Sequence, residues 1–230
     1  MSLLYLVAES NADEEFYAAC AARLTGQQFE KCALRNRKGD GVDAVKRQLK
    51  NAVVMAKASA GGPEPVFFLA AIDNDRAPHP ENAGLDRSRL IPEERSRPAR
   101  EPWMRETVEE VLTKNRDAWS LHVALAVPVE MIESWIVRAR RAAEPQPTPH
   151  FSKADSDRAR RYYAPVEPPR QWKALAAEEQ RKCEHTDKLA FYEQVVRELD
   201  ADALAARSLS FRMFKVWLDA WPRTTPSRTS

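Results

Sequence analysis

The chain has 230 residues, 43% of them hydrophobic, which is enough apolar material for one packed domain, or one domain with a helical appendage. Formal net charge is only +2 although 30% of residues are charged, so bulk basicity does not announce a polyanionic partner and local clusters must carry that case. No apolar run approaches the ~18 residues that a membrane span requires, and Cys20, Cys32 and Cys183 lack zinc-ligand spacing and fit free thiols in a reducing cytosol.

The opening Met1-Ser-Leu-Leu-Tyr-Leu-Val-Ala-Glu9 is apolar but has neither a basic leader nor a small-residue cleavage site. It reads as a strand, Leu3 to Ala8, buried on both faces, and the protein is expected to be cytoplasmic with no membrane partner. Ser10 or Asn11 then caps a helix. Its first turn holds Asp13, Glu14 and Glu15, where the helix dipole favours acids, and Gly26 ends it. Phe29 to Leu34 predicts a weaker strand. Asp40-Gly41 opens a longer helix with Val42, Val45, Leu49, Val53 and Val54 on its apolar face. Gly61-Gly62-Pro63 breaks the chain. Val66 to Ile72 carries the strongest strand signal and runs into Asp73-Asn74-Asp75.

From Arg76 to Pro102 no apolar period exists, and the stretch reads as a long loop rich in Pro and Arg. Trp103 to Asn115 predicts a helix, Leu121 to Val127 another buried strand, and Met131 to Arg141 an amphipathic helix. A Pro-rich linker spans Glu144 to Pro149. The segments around Trp172 to Cys183, Lys188 to Leu199 and Ser210 to Trp221 are helical in pattern. This order predicts an α/β fold: a mostly parallel sheet flanked by helices over residues 1–143, with a helical C-terminal extension over 144–230 packed on it.

In open parallel sheets the working residues lie just past the carboxyl ends of strands. Three of the expected strands end in acids: the first at Glu9, the next at Asp73 and Asp75, the last near Glu130 and Glu133. Residues two apart on an extended segment point the same way, so Asp73 and Asp75 face one cavity. Two like charges that close repel unless a cation lies between them, and hard oxygen ligands suit Mg2+ or Mn2+. The plainer alternatives are a solvated turn for the Asp-Asn-Asp element and a helix-start acid for Glu9. The four histidines have no metal-ligand spacing. His122 reads as a packed core residue, Lys188 as a lysine that could approach a phosphate or, more plainly, as an exposed helix lysine, and Trp135, Trp172, Trp217 and Trp221 as core.

At these acids the sequence resembles the Toprim family. Ala8-Glu9-Ser10-Asn11-Ala12-Asp13 resembles the Val-Glu-Gly-x-Thr-Asp/Glu opening of Toprim proteins of the overcoming-lysogenization-defect nuclease type, with Ser10 and Ala12 in place of Gly and Thr. Ile72-Asp73-Asn74-Asp75 resembles their DxD. The segment from Ala126 to Trp135, with Pro128, Glu133 and Trp135, resembles the Pro-x-x-x-Ile/Leu-Glu-Ala-Trp of an uncharacterised bacterial Toprim-like family. Ser208-Leu-Ser210-Phe211-x-x-Phe214 resembles the Ser-Phe-x-x-Phe near that family's end. The resemblance implies a Toprim-like fold and a divalent-metal-dependent nuclease acting on DNA or RNA. Glu9, Asp73 and Asp75 would be its catalytic, metal-holding acids, and Asp13 and Glu133 would complete a second metal position. It also implies a bacterial defence setting against phage or plasmids with a partner ATPase. The competing expectation is a catalytically silent Toprim-fold subunit that serves an ATPase complex as an interaction module.

Arg87, Arg89, Arg95, Arg97 and Arg100 follow the DxD directly and are the candidate nucleic-acid contacts, since guanidinium groups hold phosphates. The alternative is solvated surface charge balanced by Glu93, Glu94 and Glu101.

Overall fold

The computed structural model describes residues 2–32, 34, 41–62, 64–73, 100–113, 121–128, 135 and 177–223. In chain order these form β1 (Ser2–Val7), α1 (Asn11–Thr25), β2 (Phe29–Cys32), α2 (Val42–Ser59), β3 (Val66–Ala71), α3 (Arg100–Thr113), β4 (Leu121–Ala126), α4 (Ala177–Glu198), α5 (Ala201–Arg207) and α6 (Leu209–Asp219). The four strands make one sheet in the order β2-β1-β3-β4. Every pairing is parallel, with Leu3 opposite Val66 across β1 and β3, and Val66 opposite Leu121 across β3 and β4. The fold is thus α/β, an all-parallel sheet flanked by helices.

Side-chain alternation along the strands divides the core into two layers. Leu4, Leu6, Phe67, Leu69, Ala124 and Ala126 pack under α1 and α4 to α6. Tyr5, Val7, Phe68, Ala70, Leu125 and Val127 pack under α2 and α3. The handedness of parallel crossovers explains the division. The chain moves one way from β1 to β2 and the opposite way from β2 to β3 and from β3 to β4. Right-handed connections then put α1 on one face and α2 with α3 on the other.

Local chemistry fixes the element ends. Ser10 is the N-cap of α1, and Gly26, in the left-handed region at φ 72°, closes it through a bond to the Ala22 carbonyl. Lys57 is buried and donates from Nζ to the carbonyls of Val111 at 2.8 Å and Leu112 at 3.3 Å, satisfying the end of α3. Pro102 lies in the first turn of α3, where its missing N–H costs little, so that helix starts at Arg100, upstream of the expected Trp103.

The two resemblance segments near residues 135 and 208–214 meet in the core. Trp135 is 1% exposed and donates from its indole to Ser210 Oγ at 2.9 Å. Phe211 meets its ring edge-on at 5.1 Å, and Phe214 stacks on it at 5.5 Å. Ser208 caps α6 and also bonds Ser210. Residues 210–214 are therefore a receptacle for Trp135.

Of the other expected core residues, Trp221 is buried. Trp217 is only partly so, with the Arg105 guanidinium 5.1 Å above its ring. His122 departs from expectation: it is half-buried, because β4 has a single strand neighbour among the described residues, and its ring leans on Phe67. Trp172, the expected loop over 76–99, the helix expected from Met131 and the boundary at 143/144 lie outside the described residues. No described helix is long and apolar enough to cross a membrane.

Candidate functional site

The strand order turns the sheet around between β1 and β3. From β1 the chain leaves toward β2, and from β3 it leaves toward β4. Connections that diverge from neighbouring strands open a crevice at the strands' carboxyl ends, where ligands of open α/β sheets bind. Glu9 follows β1 and Asp73 follows β3, so both acids stand at this switch point. They are joined directly: the Asp73 backbone N–H donates to Glu9 Oε1 at 2.9 Å. The Asp73 carbonyl in turn accepts a hydrogen bond from Arg100 Nη1, so its main chain is held from both sides.

Glu9 is braced from a second direction. Its carbonyl accepts a 2.8 Å bond from the N–H of Gly41. Gly41 has φ 84° and ψ −177°, a region open essentially to glycine alone. A glycine that reads in sequence as the opening of α2 therefore also buttresses the acid.

Asp13 lies in the first turn of α1. Its Oδ2 accepts from the Ser10 hydroxyl at 2.7 Å, while Ser10 Oγ accepts from the Asp13 N–H at 3.2 Å. Its Oδ1 is 3.4 Å from Lys188 Nζ on α4. Lys188 is thus no exposed helix lysine; its side chain is 22% exposed and rests over the Tyr192 ring.

Beneath the acids lies Tyr17, whose ring is wedged edge-on against Trp135 and Phe214. Its hydroxyl is buried and has no hydrogen-bond partner among the described residues. Burial first, and then the negative charges of Asp73, Asp13 and Glu9, hold its phenol well above the usual range.

The structure thus brings together Glu9, Asp13, Asp73 and Arg100 of the residues singled out from sequence, and adds Lys188, Tyr17 and Gly41. Asp75, Glu130, Glu133, Arg87, Arg89, Arg95 and Arg97 lie outside the described residues. The donor set suits a hard divalent cation in its chemistry, being carboxylate oxygens with no thiol among them. Its geometry is incomplete: among the described residues no group of three His, Cys, Asp or Glu is placed to hold a metal ion.

The chain matches no protein-family model, no curated protein and no solved structure.

Other chemically capable groups lie apart from the crevice or are inert. Cys20 is fully buried on α1, and burial pushes its thiol far up, which leaves no thiolate for nucleophilic work. An apolar groove of about 470 Å³ between α1, β2 and α4 is lined by Phe16, Phe29, Leu189 and Tyr192, and its lining includes none of Glu9, Asp13 or Asp73.

Proposed function

We propose that this chain is a Toprim-type nuclease that hydrolyses phosphodiester bonds of DNA or RNA with Mg2+ or Mn2+. The reading rests on the hydrogen bond from the Asp73 amide to the Glu9 carboxylate at the switch point of the sheet. That bond ties together two strand-end acids, and Asp75 follows two residues later. Glu9, Asp73 and Asp75 are the residues to hold a first ion, with Asp13 and Glu133 as a second set. Such ions, when bound, supply Lewis-acid stabilisation of the phosphate and an activated water. The chain's own part is to orient and to hold. The Asp73 backbone is pinned by Glu9 and Arg100, which fixes the carboxylate's origin. Arg100 donates to the Asp73 carbonyl, and guanidinium groups are the side chains best matched to phosphate oxygens. Arg87, Arg89, Arg95 and Arg97, in the segment that leads to it, extend the same chemistry along a nucleic-acid backbone. By resemblance the setting is bacterial defence against phage or plasmids, with an ATPase as partner.

A second reading keeps the same fold as a silent interaction subunit of an ATPase complex. It is favoured by the engagement of Asp13 with Ser10 and Lys188, which leaves that acid's oxygens already occupied. Cleavage of single- and double-stranded DNA and RNA in Mn2+, by the wild type and by Asp73→Asn and Asp75→Asn, separates the two. The nuclease reading expects cleavage that falls to background in either variant. Undiminished cleavage by Asp73→Asn, or a folded wild type inert on all four substrates, returns the chain to the second reading.

A further inference from the structure

Trp217 packs against both layers of the core. Its helix, α6, covers one face of the sheet with Phe211, Phe214 and Leu218, while α3 covers the other with Met104, Val108 and Val111. The two helices meet around β4, which has a single strand neighbour among the described residues. Trp221, just past α6, fastens that helix there by donating from its indole to the Val123 carbonyl of β4 at 3.0 Å. From the other face Arg105 of α3 lays its guanidinium over the Trp217 ring, 5.1 Å from the centroid.

The same guanidinium reaches back one turn along α3. Arg105 Nε donates to Glu101 Oε1 at 3.0 Å, and Nη2 donates to that same oxygen. Glu101 is only 3% exposed, so burial of its charge has to be offset by a partner. A proline crowds the residue before it away from helical backbone, and Glu101 precedes Pro102. The turn that carries Arg100 and Glu101 is nonetheless helical, and the Glu101–Arg105 pair holds it so. Arg100 is the residue that donates to the Asp73 carbonyl. Contacts thus run from Trp217 through Arg105 to Glu101, across one peptide bond to Arg100, and on to Asp73 and Glu9.

We propose that Trp217 and Arg105 are positioning residues for the crevice: by holding Glu101 they keep Arg100 on the Asp73 carbonyl, with its guanidinium beside the strand ends for a phosphate group of nucleic acid. The phosphate part rests on the nucleic-acid reading above; the hold on Asp73 does not, and no ion takes part in it. Both residues act through Glu101 and Arg100 and are not catalytic.

Hydrogen exchange on the full chain, in chelator and without substrate, reads the hold directly. Trp217→Leu keeps apolar cover but removes the ring face. It should raise exchange of the Asp73 amide about two- to fivefold, the range for losing a half-exposed cation–π contact. Arg105→Gln should raise it by at least as much, since it leaves the buried Glu101 without this cation. Trp217→Phe keeps an aromatic face and stays near the wild type. The Leu69 amide, inside β3, should keep its wild-type rate, which separates a loosened crevice from a loosened fold. Arg105→Gln added to Arg100→Gln should raise the Asp73 rate no further than Arg100→Gln alone, because both act on one path. Unchanged exchange at Asp73 in Trp217→Leu and Arg105→Gln, an equal rise at Leu69 in Trp217→Leu, or a further rise in the double variant overturns the clamp. Affinity for a short single-stranded oligonucleotide, also in chelator, reads the use of the arginine and should fall as far in Arg105→Gln as in Arg100→Gln. Wild-type affinity in Arg105→Gln beside raised Asp73 exchange overturns the presentation of Arg100 to phosphate. A wild type that binds no oligonucleotide, beside raised exchange in the variants, supports the clamp and overturns the nucleic-acid reading.

Discussion

Glu9 has two jobs that a pair of substitutions separates. Its carboxylate accepts the Asp73 N–H at 2.9 Å in a part-buried setting, and in the proposed mechanism it also holds metal. Glu9→Ala removes both and leaves the amide unpartnered. A hydrogen bond to a charged group contributes about 1.5–3 kcal/mol net, and an orphaned buried donor costs about 1–3 kcal/mol. For a domain of this size about 1 kcal/mol moves the melting temperature by roughly 2–4 °C, so Glu9→Ala should melt about 3–12 °C lower in chelator. Glu9→Gln keeps an oxygen acceptor for the same N–H and removes a negative charge beside Asp73. Its melting temperature in chelator should lie within about 4 °C of the wild type. In Mn2+ at a hundred times Kd the wild type gains about 2.7 kcal/mol that neither variant fully recovers. Melting curves in chelator and in Mn2+, beside a cleavage assay, read all of this. Wild-type cleavage by Glu9→Gln, with an undiminished Mn2+ stabilisation, would reduce Glu9 to a tie between strand ends. An unchanged melting temperature for Glu9→Ala in chelator would refute the tie itself.

Tyr17→Phe removes a buried hydroxyl without a partner among the described residues and should be neutral or stabilising by up to about 2 kcal/mol in denaturant titration; a loss above about 1 kcal/mol means the hydroxyl is bonded in solution. Because the Tyr17 phenol is held above its ordinary 10.0, the unfolded chain gives up this proton first, so stability should fall as pH rises past about 10, and by less in Tyr17→Phe; parallel pH profiles of the two proteins would refute the assignment. Ser210→Ala leaves the buried Trp135 indole N–H unpaired and should cost about 1–3 kcal/mol, with a change in near-ultraviolet dichroism from the Trp135–Phe214 stack; an unaltered midpoint and spectrum would show that this bond does not hold the receptacle together.

Short-range signals were the legible ones. The strand runs at Leu3 and Val66, the Ser10 cap, the Gly26 stop and the acids at strand ends are all properties of a few adjacent residues, and β1, β3 and α1 form where those signals lie. The site contacts that the sequence does not display act across long sequence separations. Nothing near Lys188 marks it as a partner of Asp13, and nothing near Gly41 announces a bond to Glu9. Helix α5 is seven residues long, too short to display an apolar period, although Asp200 caps it. The stretches expected around Trp172 to Cys183 and Lys188 to Leu199 share one helix from Ala177 to Glu198, since no Gly or Pro separates them. Trp135 was legible as core, whereas its partner Ser210 was not, because an indole acceptor has no spacing rule.

The same long separations set the order in which the protein can assemble. Besides the Lys188–Asp13 pair, Arg23 on α1 donates to the Leu199 carbonyl, 176 residues away. At about 5–20 residues per second a ribosome needs roughly 10–35 s to travel that distance. During that time Phe16, Tyr17, Leu4 and Leu6 lack the part of their cover that α4 to α6 supply, since those helices are still unmade. Contacts this remote slow folding and leave apolar surface open to aggregation until the last helices are made. A fragment ending before α4 would be frozen at that stage, sticky and lacking the ammonium beside Asp13, which makes the C-terminal helices the step that completes both the core and the crevice.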